Sequence, residues 1–285
     1  MRLGATSLSA TKPGSTQTQV TSAATTESGW DISNATYEKT SNITVEILSG
    51  YSIRGLAFKP DGTEMYVMMS SNTYSRIYQY NLSTAWDVNT LTADGYRRFS
   101  QDRGYSVSFK PDGIRYFISS DDEDRVQEFD LDTAWDIDGG ETYNGATSFQ
   151  TLDTRITSCQ FNSDGTKAVL YGATNDKLYY HTLSTAWDIS TASFSASSSV
   201  IPNGNWNMVM KPDGTKFYFI GSNRIRQHNA TTAFDMSTVS TSPAHEINVS
   251  DDVTVEFIGG IALSSDGTKL YTVNTSTKDV YQYSL

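Results

Sequence analysis

The side chains best suited to chemistry in this sequence are few and of distinct kinds. Tyr51, Arg54, Arg103, Tyr105, Arg155, Asn205, Trp206 and Asn207 combine aromatic faces with arginine and amide donors. Such a set suits a sugar or another flat polar ligand, because ring faces take its apolar side while N–H groups fix its orientation. The same residues could equally pack a rim, with their arginines solvated or paired. A second group is acidic: "SSDDEDR" (119–125) holds four acids in one loop. Calcium needs several oxygen ligands, but the EF-hand spacing, its Gly and its terminal Glu are missing, so the loop reads as exposed and acidic. His181, His228 and His245 are scattered and make neither a triad nor a metal set. The only cysteine, Cys159, excludes an internal disulfide and reads as a small core residue. No metal and no cofactor are expected.

The chain of 285 residues carries a net charge of −11 and is 37% apolar and 12% aromatic. That is enough apolar material to bury a core. A uniformly acidic chain repels phosphate backbones, which argues against nucleic acid as a partner. No segment has the apolar run of a secretory signal or of a membrane span. The expectation is a protein made in a cytoplasm, without membrane insertion.

The elements that must position these residues come from a repeat. "KPDGT", "KPDGI", "NSDGT", "KPDGT" and "SSDGT" place glycines at Gly62, Gly113, Gly165, Gly214 and Gly267, spaced 51, 52, 49 and 53. A second phrase, "LSTAWD" and its variants, places Trp86, Trp135, Trp187 and Phe234 at spacings of 49, 52 and 47. Two independent markers agree on one period. Each unit holds four short runs rich in Tyr, Val, Ile and Phe, bounded by turn residues, which is the signature of strands. Proline sets φ in the Pro-Asp-Gly turn and glycine supplies the positive φ of a tight hairpin. Four strands per unit at this period predict an all-β fold, a β-propeller. The last unit stops before its Trp-Asp phrase, and Trp30 with Asp31 carries that phrase near the other end. An N-terminal strand is therefore expected to complete the final blade, giving five blades and no open edges.

A residue that recurs with the turn is not expected to be catalytic. Trp30, Trp86, Trp135, Trp187 and Phe234 are read as rings that seal neighbouring sheets. Asp87, Asp136, Asp188 and Asp235 are read as acceptors for backbone N–H groups that fix the turn. Strand direction puts both kinds of turn on one uniform face. The opposite face carries loops that differ between copies, and the candidate ligand residues lie in the links leading into its channel mouth. A glycoside hydrolase would need paired carboxylates there. The inner-strand rows Leu56, Val107, Cys159, Met208, Ile261 and Ala57, Ser108, Gln160, Val209, Ala262 contain none, although Asp102 and Asp153 lie in the links. The chain is accordingly expected not to be an enzyme.

The unit resembles β-propeller repeat proteins of the WD-repeat and YVTN types, in which F-x-PDG-x-x-x-YV opens a blade. The phrase "LSTAWDIST" resembles a propeller repeat of phage structural proteins and bacterial surface proteins. The likeness covers about residues 29–285 and lacks the Gly-His element of the WD repeat. It implies a virion protein, such as a tail, fibre or capsid-decoration component, in which residues 1–28 form an extended Ser/Thr-rich docking arm. Its partners would be other virion proteins and a host-surface glycan, with a homo-oligomer on the particle compatible with this. The alternatives are a non-viral bacterial lectin or adhesin and a glycan-active enzyme. Removing residues 1–28 is expected to leave the thermal unfolding of the propeller unchanged and to abolish incorporation into the particle; co-sedimentation of the truncated protein with particles would contradict the docking role.

Overall fold

The computed structural model describes residues 29–285 apart from 44–49, 73, 101–102, 203, 205 and 255–256, so the expected arm lies outside the described residues. The described chain forms five antiparallel sheets of four strands each. The first strand, β1 (Thr36–Asn42), belongs to the last blade. Blade 1 runs through β2 (Ser52–Phe58), β3 (Glu64–Ser70), β4 (Tyr74–Leu82) and β5 (Leu91–Ser100). Blade 2 holds β6 (Gly104–Phe109), β7 (Arg115–Ser120), β8 (Arg125–Leu131) and β9 (Glu141–Ser148). Blade 3 holds β10 (Ile156–Phe161), β11 (Lys167–Gly172), β12 (Lys177–Leu183) and β13 (Ala192–Ser197). Blade 4 holds β14 (Asn207–Met210), β15 (Lys216–Gly221), β16 (Arg224–Asn229) and β17 (His245–Asn248). Blade 5 holds β18 (Ile258–Leu263), β19 (Lys269–Asn274) and β20 (Asp279–Ser284), and β1 completes it by pairing with β20. The structure is the five-bladed β-propeller expected from the repeats, closed by the N-terminal strand.

The core is a set of wedges between blades. One cluster joins Tyr66, Met68 and Ile77 of blade 1 to Val107, Ile118 and Trp135 of blade 2. Second strands lie between two neighbouring sheets and are buried on both faces, which is why Met65 to Met69 are all apolar and all buried. Outermost strands such as β9 alternate between half-buried and exposed positions, as a one-sided strand should.

The two repeated turns form one unit. The indole of Trp86 lies on the Cα of Gly62, where a Cβ would come within 2.3 Å of the ring. The Trp86 N–H donates to the Gly62 carbonyl at 2.9 Å. The same contact recurs at Trp135 on Gly113, Trp187 on Gly165 and Phe234 on Gly214. Trp30 on Gly267 makes it between the two ends of blade 5, at 2.7 Å. Every one of these aromatic residues is in the left-handed region, with φ between 58° and 68°. That backbone costs about 1–2 kcal/mol per bulky residue, and packing must hold it there. The aspartate that follows caps a short 3-10 turn in four of the five blades. Asp87 Oδ1 accepts from Asn89 N at 3.0 Å, and Asp31, Asp136, Asp188 and Asp235 do the same two residues on.

These units also join the blades. The Trp135 carbonyl accepts the Tyr66 hydroxyl of blade 1 at 2.6 Å, Trp86 accepts that of Tyr271, and Trp30 that of Tyr218. Blade 2 has Phe117 at this register, and Arg115 Nη1 reaches the Trp187 carbonyl instead, at 2.9 Å. A third-strand side chain makes a second bridge. Gln79 accepts from Ile137 N, Glu128 from Ile189 N, Gln227 from Ile32 N and Gln282 from Val88 N. The seam between blades 3 and 4 departs from this pattern. Val169 and Tyr180 occupy the two bridging registers, and Tyr180 and Lys167 pack on the Phe234 ring at 5.8 and 4.5 Å. The single Phe in the aromatic series thus belongs to the seam that has replaced polar bridges by apolar and cation–π contact.

Gly62→Ala is expected to destabilise the fold by more than the ~1–2 kcal/mol of left-handed backbone alone, because the indole must also be displaced. Gly204→Ala is the matched control, since Gly204 has φ of 58° and no atom within 4 Å of an added Cβ. Urea unfolding followed by tryptophan fluorescence measures both, and equal losses would refute the clamp.

Candidate functional site

The inner strands aim side chains at the channel mouth on the variable face. Four of the five, all but β14, bulge just where they near that mouth. Arg54 is the extra residue of β2, Tyr105 of β6 and Thr157 of β10, and a bulge re-aims the side chain it carries. Trp206 sits at the corresponding point before β14, its backbone N–H held by the Ile220 carbonyl at 2.8 Å. Phe257 lies just ahead of β18, and Arg103 and Arg155 just ahead of β6 and β10.

The result is a chain of contacts around the axis. The Arg54 guanidinium stacks on the Tyr105 ring at 4.8 Å. Arg155 lies 5.9 Å from the same ring, donates to the Tyr105 hydroxyl at 3.4 Å, and lies 5.7 Å from Trp206. Trp206 meets Phe257 edge-on at 5.8 Å. Side chains from all five blades therefore meet at this mouth. A buried carboxylate sits beneath the arginines: Asp121, with 4% of its side chain exposed, lies 3.6 Å from Arg103 Nη1 and 3.7 Å from Arg155 Nε. Burial holds its carboxyl above the usual range, against the pull of Arg103 and the smaller pull of Arg155. Arg103 also reaches Asn72 Oδ1 at 3.1 Å and Asp122 at 3.6 Å. Arg54 makes no ion pair among the described residues.

Asn207 has a different task. Its side chain crosses the axis. Nδ2 donates to the Arg54 carbonyl at 2.8 Å and the Tyr105 carbonyl at 3.2 Å, and Oδ1 accepts from the Ser158 hydroxyl. One amide thereby ties blade 4 to blades 1, 2 and 3. Around it the inner strands touch: a Cβ on Gly260 would lie 2.7 Å from Gly55 C, and one on Gly55 would lie 3.0 Å from Ser106 Cα. The channel is closed at this level, and the two faces have separate mouths. Removing the amide would leave buried backbone and hydroxyl groups unpaired, at about 1–3 kcal/mol each.

Of the other sequence candidates, Tyr51 points away from the mouth. It packs beside blade 1, where Arg76 lies 5.5 Å from its ring. Asn205 lies outside the described residues. Asp121 was not singled out in the sequence, where its loop reads as uniformly exposed; Asp122 and Glu123 are exposed, but Asp121 and Asp124 turn inward. The one signal available was that this loop joins a second to a third strand, and so shares the face of Arg103.

The opposite, uniform mouth opens as a funnel of about 340 Å³. Its wall repeats around the ring as Phe58, Phe109, Phe161, Met210 and Leu263, with Trp30, Trp86, Trp135 and Trp187 above them. Its polar lining is neutral, notably Ser108 and Gln160 near the floor, with no carboxylate. The histidines stay apart: His181 packs between Phe149 and Phe194, and His228 Nδ1 donates to the Ser240 carbonyl at 2.7 Å. Burial pushes the Cys159 thiol far up, which suits a core residue. No group of metal-binding side chains occurs among the described residues.

No protein-family model matches the chain, and no curated protein matches it. Solved structures do resemble it. A protein from Lactobacillus plantarum shares 16% identity at a TM-score of 0.46, over 78% of this chain and 64% of that one. A candidate 6-phosphogluconolactonase from Bacteroides uniformis shares 15% at 0.45, over 69% and 55%. The periplasmic gluconolactonase of Pseudomonas aeruginosa shares 12% at 0.44, over 69% and 54%. The chain thus spans between about half and two thirds of these proteins' lengths. Identities of this size concern fold alone. They correct one expectation: proteins similar in fold carry lactonase names, so the reading that this chain is not an enzyme is withdrawn.

Burial also gives the molecule an acid-sensitive element. The His181 imidazole is pushed down to about 4 by desolvation, and His228 is lowered for the same reason. An unfolded histidine titrates near 6.5. Between these values the unfolded chain takes up a proton that the folded chain refuses, so stability falls as pH falls through that window. The loss from His181 is on the order of 3 kcal/mol and levels off below its folded value. His181→Phe is expected to reduce the difference in urea stability between pH 7 and pH 4.5; an unchanged difference would contradict this.

Proposed function

We propose that this propeller is a binding module that holds a surface glycan or a partner protein at its variable mouth, and that it serves as a component of a phage virion. The observation that carries the binding role is the convergence at that mouth. Arg54 and Arg155 lie on the Tyr105 ring, Arg155 reaches Trp206, and Arg103 joins them over Asp121. Arginine and aromatic groups presented from separate rigid blades form a surface that needs little reorganisation on binding. Function placed on variable loops over a repeated scaffold is the common arrangement.

The virion setting is supported by the sequence. The TAWD/PDG repeat resembles that of phage structural proteins, and residues 1–28 fall outside the repeat and are suited to attachment. A bacterial lectin or adhesin would use the same mouth in a different carrier. A glycan array on the full chain is expected to show saturable binding that Trp206→Ala weakens at least tenfold. Equal binding by the variant would remove the mouth from the site.

A further inference from the structure

Among the described residues, Arg54 Nε and Trp206 Nε1 at the variable mouth are buried without a hydrogen-bond acceptor, and Arg103 Nε has only Asp122 Oδ1, at 3.6 Å. Buried donors in a native fold are normally satisfied, so these donors call for an acceptor that the described residues do not supply. Their surroundings say what kind. Arg54, Arg103 and Arg155 bring three guanidiniums to one place, against the nearby carboxylates of Asp121 and Asp122. The Asp121 contacts, at 3.6 and 3.7 Å, are longer than a paired charge-assisted hydrogen bond of about 2.7–2.9 Å. This positive excess among the described residues stands on a chain whose net charge is −11. A cleft of one sign within a body of the other concentrates its counter-ion.

We infer that the variable mouth recognises an oxyanion carried on a sugar, with the anion on the edges of Arg54 and Arg155 and the sugar ring against the half-buried face of Trp206. A guanidinium stacked on an aromatic ring keeps its in-plane N–H groups free for two-point contact with a carboxylate, sulfate or phosphate ester. Tyr105 is 3% exposed and lies under the arginines, so it orients them and offers no open face. Trp206 retains exposed area and is the ring that a saccharide can reach. The positions are set by inner-strand bulges and by Asn207, whose amide holds the Arg54 and Tyr105 carbonyls. The site is therefore pre-organised for charge.

This inference rests on the binding role proposed above and deepens it. The test is calorimetric titration of the full chain with methyl glucoside, methyl glucuronate, glucose 6-sulfate and glucose 6-phosphate at two salt concentrations. At least one acidic sugar is expected to bind tenfold or more tightly than the neutral glucoside, with affinity falling as salt rises. The ranking of the three separates carboxylate, sulfate and phosphate ester. Arg54→Gln is expected to remove the preference, and Arg54→Lys to restore part of it, in proteins whose circular dichroism matches the parent. Equal affinity for neutral and acidic sugars would overturn the inference and leave the binding role standing. Failure of every acidic sugar to exceed the neutral one, together with a glycan array on which Trp206→Ala binds as the parent does, would overturn both.

Discussion

Everything in this molecule hangs on an aromatic ring pressed onto a glycine. In each blade the ring of the Trp-Asp turn lies on the glycine of the Asp-Gly turn. Neither residue tolerates exchange of roles. The glycine must have positive φ and no Cβ; the tryptophan is itself forced into the left-handed region. The strain is held because the tryptophan is fixed on several sides. Its N–H goes to the glycine carbonyl, its carbonyl to the neighbouring blade in four of five cases, and the next residue's side chain caps the following turn. Blade shape and blade spacing thus come from one contact, and the inner strands meet at the axis because that spacing is uniform.

The fold was legible because this contact is written in rigid letters. Only glycine fits the turn, so the Asp-Gly phrase survives in all copies and gives the period. The position of Trp30, and the missing phrase after Tyr283, were enough to predict how the ring closes. The site was legible only in part. Arg54, Tyr105, Arg155 and Trp206 could be found because they lie in links between counted units. Their convergence depends on one-residue bulges, which leave no compositional trace yet reverse the direction of a strand side chain. The same blindness to register misplaced Tyr51, which turns outward, and hid the axial role of Asn207. Asp121 was lost in an acidic run because the first and last acids of the turn face inward while the two between them face solvent. The funnel on the uniform face was missed for another reason: residues repeated for structural duty also form a concave apolar wall when arranged in a ring.

Closure of the channel by Asn207 gives the propeller two unlike ends. One is an apolar funnel with repeated walls and no charge in its lining. The other is polar, asymmetric and rich in arginine. Pseudo-symmetry explains the difference. The funnel inherits the repeat, whereas the variable mouth draws Arg, Tyr, Trp and Phe from different copies of the same position. Departure from the repeat is where chemical individuality enters, and it enters on one face.

The closure at Trp30 also determines how the molecule carries mechanical load. Both ends of the described chain run into blade 5, so a tension applied at residue 29 enters the ring beside its last strand. It meets the Trp30 turn before the β1–β20 ladder. To pass further it must lift the indole from Gly267 and strip the Trp30 carbonyl of Tyr218 and Lys216. The turn shields the sheet: until it yields at the seam between blades 4 and 5, the β1–β20 hydrogen bonds that keep the ring shut carry little of the load.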